Sequence, residues 1–105
     1  MRTLWIVLLV LVATPALAQP PGKLCASRWP TDYVMQETCQ TKQRDAASRV
    51  EAWTTQHHAK EAQTPAGTVL AECTTRWTED GVADYAMIDT CIQRQWAAHE
   101  RLYRE

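Results

Sequence analysis

Between Tyr33 and Gln63 the chain has no glycine or proline, and Met35, Cys39, Ala46, Val50, Trp53 and His57 recur at spacings of three, four or seven. That spacing places them on one face of a helix. Such a helix would be about 45 Å long, long for a small domain, which allows a break near Thr54-Thr55. Upstream, residues 23–29 suit two helical turns, stopped by Pro30 because the residue before a proline avoids the helical region. Thr31 and Asp32 are good N-caps for the long helix. Downstream, Thr64-Pro65 reads as an N-cap with proline at the first helical position. Val69, Leu70, Cys73 and Trp77 then mark an apolar face, and Thr78-Glu79-Asp80-Gly81 reads as its C-terminal stop. A last helix is predicted from about Val82 to Arg104, with Met87, Ile88, Cys91, Ile92, Gln95, Ala98 and Leu102 as its buried stripe. No stretch alternates with period two, so no strand is expected and the class is all-α.

These elements fall into two similar halves. Cys25-Ala26-Ser27-Arg28-Trp29 is followed by Asp32-Tyr33-Val34-Met35-Gln36-Glu37-Thr38-Cys39 and closes on Gln43. Cys73-Thr74-Thr75-Arg76-Trp77 is followed by Asp84-Tyr85-Ala86-Met87-Ile88-Asp89-Thr90-Cys91 and closes on Gln95. Both read C-x-x-R-W, a connection, then D-Y-x-M-x-[ED]-T-C-x-x-x-Q, which points to a duplicated unit spanning 23–63 and 64–105. The second connection is four residues longer.

Four cysteines allow three pairings. If each unit is a hairpin of two antiparallel helices, facing residues share a midpoint. Cys25 and Cys39 are centred on the same position as Trp29 and Met35, and Cys73 and Cys91 on the same position as Trp77 and Met87. The pairing Cys25–Cys39 with Cys73–Cys91 is therefore favoured, each disulfide stacked one turn from a Trp–Met contact. Crossed pairing, Cys25–Cys91 with Cys39–Cys73, remains the alternative, although its midpoints differ. The expected fold is two tandem disulfide-stapled helical hairpins forming a small bundle, packed through Val50, Trp53, Ile88, Ile92, Leu102 and Tyr103.

This layout is similar to the α-hairpinins, in which C-x3-C pairs staple two antiparallel helices. Here Trp29, Met35, Trp77 and Met87 stand where that family has its inner cysteines. The resemblance is architectural and implies no activity. The C-x3-W…D-Y-x-M-x3-C-x3-Q pattern also resembles a motif of uncharacterised small exported bacterial proteins, which again implies no activity.

The first 18 residues change the picture. Met1-Arg2-Thr3 is a short positive start, Leu4 to Ala13 is apolar, and Ala16-Leu17-Ala18 is an A-x-A cleavage signal, so residues 1–18 read as a signal peptide. The apolar run is shorter than the roughly 20 residues of a membrane span. Residues 19–22 are expected to be a disordered leader and 23–105 a single domain, exported to the periplasm or secreted. An even number of cysteines suits that oxidising setting, and a chain without phenylalanine has so thin a core that it needs staples. Lys and Arg number 11 against 12 Asp and Glu, interspersed, with a formal net charge of −1. No basic run marks a nucleic-acid binder.

Candidate chemistry is sparse. Zinc sites want cysteines in C-x2–4-C pairs and thiol redox catalysis wants C-x-x-C; the chain has neither. His57 and Glu61 are an i,i+4 pair better read as a solvated face than as a metal site, and His58 points elsewhere. His99, on the last helix, is a candidate neighbour of the first helix, although its spacing does not fix its place. Asp32-Tyr33 and Asp84-Tyr85 suit N-caps with the ring covering the Trp; Arg28 and Arg76 suit pairing with Glu37 and Asp89; Gln43 and Gln95 suit bonding to the end of the short helix. No catalytic residue, metal ligand or cofactor is assigned. The expectation is a monomeric, non-catalytic binding or accessory protein of the cell envelope with a protein partner. The alternatives are a metal-handling or thiol-redox protein using His57, Glu61, His99 and the sulfurs, or a small inhibitor of an envelope hydrolase inserting its 78–83 loop.

Overall fold

The computed structural model describes residues 21–104, so the expected signal peptide lies outside the described residues. Four helices, α1 (Pro21–Arg28), α2 (Tyr33–Gln56), α3 (Pro65–Arg76) and α4 (Tyr85–Leu102), carry the fold. A two-residue ribbon, β1 (Thr78–Glu79) with β2 (Val82–Ala83), interrupts the second connection. The class is all-α, as the periodicity predicts. Helix α1 begins inside the stretch expected to be a disordered leader, with Pro21 in its first turn, where the missing N–H costs nothing.

Both disulfides join helices of one hairpin: Cys25 to Cys39 across α1 and α2, and Cys73 to Cys91 across α3 and α4. The pairing favoured by the shared midpoints is the one found, and the crossed alternative falls. Cys25 and Cys73 are fully buried. No cysteine among the described residues is free, an arrangement compatible with an oxidising compartment.

The helix ends follow local chemistry. Asp32 and Asp84 cap α2 and α4, each carboxylate accepting from the third amide on, Met35 at 3.0 Å and Met87 at 3.3 Å. Thr64 caps α3 through the Gly67 amide at 3.0 Å, with Pro65 in the first turn. The break in the long helix comes at His57, slightly beyond the expected Thr54-Thr55. His58 takes a left-handed φ of 53°, its N–H bonds Thr55 O, and the Ala59 N–H bonds Thr54 O at 2.9 Å. This is a Schellman stop with histidine where glycine is usual. The returning chain passes so close to α3 that a Cβ on Gly67 would lie 2.1 Å from the Glu61 carbonyl oxygen.

The expectation of no strand is corrected by the Asp80-Gly81 turn. Both residues have positive φ, 51° and 74°, the geometry of a type I′ turn that closes a hairpin, and Glu79 pairs with Val82 and Thr78 with Ala83. The ribbon uses residues expected to begin the last helix, so α4 starts at Tyr85. The four added residues thus build a hairpin rather than a longer loop.

Helices α2 and α4 pack against each other and run the same way: Gln43 meets Asp84, Arg49 meets Asp89 and Trp53 meets Trp96. The core between the hairpins is Val50, Trp53, Ala59, Ala66, Cys73, Ile88 and Ile92. Four of the six expected core residues are there. Leu102 and Tyr103 are not: they are 77% and 73% exposed, because they lie beyond the last turn of α4 that α2 covers. Gln95, also expected in the buried stripe, is exposed.

Candidate binding face

The two hairpins meet at one buried polar node. Asp84 is 6% exposed. Besides capping α4, its carboxylate accepts from the Arg28 guanidinium at 2.5 Å and from Gln43 Nε2 at 2.9 Å. Gln43 Oε1 in turn accepts from the Tyr85 amide at 2.7 Å, so one glutamine side chain satisfies both the cap and the first free amide of α4. Burial pushes the Asp84 carboxyl up, but the hydrogen bonds from Gln43, Arg28 and the Met87 amide, with the Arg28 charge, outweigh it and hold the carboxyl below its ordinary value. The expected reach of Gln43 to the end of α1 is corrected here: it crosses to the other hairpin, and Gln36 Nε2 instead bonds the Trp29 carbonyl at 2.6 Å. The expected Arg28–Glu37 and Arg76–Asp89 pairs are likewise replaced. Arg28 goes to Asp84 and Asp89 to Arg49, at 2.9 Å.

This contact is one-way. The first hairpin's Arg28 and Gln43 hold the second hairpin's Asp84, but the converse pair does not form. Asp32 is exposed and accepts only from Met35 N. Arg76 and Gln95 are exposed and make no ion pair or side-chain hydrogen bond among the described residues. Tyr33, expected to cover Trp29, is 76% exposed, while Tyr85 is half-buried against the core.

Beside each disulfide lies a small cavity of about 190 Å³. The first is lined by Arg28, Trp29, Met35, Thr38, Cys39, Lys42 and Gln43. The second is lined by Arg76, Trp77, Met87, Thr90, Cys91, Arg94 and Gln95, the same places in the other copy of the motif. Each Trp and Met paired by the midpoint argument share a wall. The first cavity has an eighth wall, Ala86, brought by the incoming α4; every residue of the second belongs to its own hairpin.

A larger groove of about 660 Å³ runs between α3 and α4, lined by Pro65, Thr68, Val69, Gln95, Ala98, His99, Leu102 and Tyr103. Its α4 wall carries Gln95, Ala98 and Leu102 where α2 has Gln43, Ala46 and Val50. Those α2 residues are the buried ones facing α4. Sequence reasoning missed this groove because apolar periodicity cannot distinguish a face that is covered from one that is open.

His57 and His99 fall in an aromatic row, whereas His58 is exposed at the helix stop. Trp96 lies between His57 and His99, with centroids 4.9 and 4.8 Å away, His99 stacked at 11° and Tyr103 beyond it. Glu61 is exposed. Among the described residues no group of three metal-ligating side chains gathers, and no helix is long and apolar enough to cross a membrane. No protein-family model matches the chain, and neither curated proteins nor solved structures contain a match.

Proposed function

We propose that the chain is an exported, non-catalytic binding or accessory protein of the cell envelope, and that it engages a protein partner through the α3–α4 face. The observation that carries this reading is the apolar groove ending in Leu102 and Tyr103, each about three-quarters exposed. Unlike the exposed Tyr33 and Val34, these two side chains border a groove with apolar walls, the setting in which an exposed apolar patch marks an interaction site. The signal-like first 18 residues and the two disulfides support export. The stapled hairpins hold the groove walls in place before binding, which reduces the ordering cost of association.

The test compares the tagged wild-type chain with Leu102→Glu and, as a control at an exposed α2 position outside the groove lining, Glu51→Lys. Quantitative capture from the envelope fraction should enrich one protein with the wild type and the control, and lose it with Leu102→Glu at unchanged melting temperature. Equal enrichment by all three would overturn the assignment of the face. The intact mass of the recovered chain should begin at Gln19; a chain retaining residues 1–18 would remove the argument for export.

A further inference from the structure

We infer that the α3–α4 face is a receptor for the N-terminal end of an acid-capped amphipathic helix from another protein. This rests on the reading of that face as the binding surface and names what it binds. The molecule already contains the interaction once. The first hairpin receives α4 by holding the cap carboxylate of Asp84 between Arg28 and Gln43. Ile88 and Ile92, four and eight residues further on, are buried in the core that Val50 and Trp53 share with α3, and Arg49 pairs with Asp89 at the fifth position. The second hairpin repeats the receiving groups: Arg76 for Arg28, Gln95 for Gln43, Ala98 for Ala46, Leu102 for Val50 and Arg101 for Arg49. All five are at least partly exposed. A contact in which one unit's socket takes the next unit's end does not close on itself and leaves a socket at the far end.

The ligand follows from that socket. It is a helix with Asp at its N-cap, aliphatic side chains four and eight residues later, and an acid at the fifth. A second copy of this chain fits only the polar half of that description. Asp32 and Glu37 match, but Gln36 and Gln40 stand where α4 has Ile88 and Ile92, and Gln36 is already bonded to Trp29 O. The first hairpin's end therefore lacks the aliphatic pair that α4 carries at these two positions, and the partner is a different chain.

The probe is the chain's own receiving-compatible segment, a synthetic peptide of residues 82–102 with Cys91→Ser, titrated into the full mature protein and followed by amide chemical shifts. The expected result is saturable shifts on α3 and α4 below about 1 mM peptide. Arg76→Ala in the protein should weaken binding about tenfold or more, as should Asp84→Asn in the peptide, which keeps a capping side chain and removes only the charge. Equal binding of the Asp84→Asn peptide would sink the acid-cap recognition while leaving the groove as a binding face. Absence of any shift up to several millimolar, with Leu102→Glu still abolishing capture of the cellular partner, would mean that the face binds something other than such a helix. Concentration-dependent self-association lost in Asp32→Ala would make the occupant a second copy and overturn the choice of a different chain.

Discussion

Asp32 and Asp84 sit in the same local sequence and cap the same kind of helix, so local chemistry gives them equal worth. The tertiary structure does not. Asp32→Ala removes one exposed capping bond, a loss of about 0.5–1 kcal/mol. Asp84→Ala removes a cap of the same kind, about 1 kcal/mol, and leaves the buried Gln43 amide without its acceptor, about 1–3 kcal/mol more. Arg28 is about half exposed, 49% on its side chain, so its ion pair adds at most about 1 kcal/mol. The expected cost is about 3 kcal/mol, a shift in melting temperature of order 10–20 °C for a domain this size. Urea denaturation followed by tryptophan fluorescence measures both variants. The pH dependence is a second handle. Because the folded Asp84 carboxyl lies below its ordinary value of 3.8, the stability it confers is fully present above that value and disappears as pH falls through the folded value. Asp84→Asn should therefore be less stable than wild type at pH 6, with the difference shrinking as pH falls below 3.8. Equal costs for the two alanine variants, or a wild-type advantage that persists unchanged into acid, would refute the buried-node account.

Opening one disulfide at a time by paired Cys→Ser substitution should cost about 3 kcal/mol each, since the loops span separations of 14 and 18 residues; calorimetry of the two double variants checks it. Gly67→Ala should destabilise by at least about 2 kcal/mol, because the new Cβ meets backbone rather than a movable side chain, and a neutral result in the same denaturation assay would contradict the close approach of 61–62 to α3. His58→Gly should stabilise by about 0.5 kcal/mol by relieving the left-handed conformation at the helix stop, read as a higher urea midpoint with an unchanged slope.

What was legible in the sequence was what neighbours along the chain decide. Asp32, Thr64-Pro65 and Asp84 announce helix starts because capping involves residues three apart, and the disulfide partners could be paired because both lie in one hairpin about one turn. The Asp80-Gly81 dipeptide is a hairpin signal in itself, yet strands of two residues are too short to show any alternation. The rest depends on how the hairpins stack. Nothing local distinguishes Gln43, which crosses to Asp84, from Gln95, which has no such partner; nor does a helical stripe reveal that Val50 is covered and Leu102 is not. The second helix end that Arg28 selects is Asp84, 56 residues away, and only the parallel packing of α2 on α4 brings them together.

The claim that the α3–α4 face is where this chain meets its partner is tested most directly by in-cell photocrosslinking. A photoreactive amino acid would be placed at Leu102 or Thr68 in the groove, and at Glu51 or Lys60, which are exposed but not part of its lining. The account predicts one discrete crosslinked species from 102 and 68 and none from 51 and 60. The same species from all four positions, or from 51 and 60 alone, would contradict it.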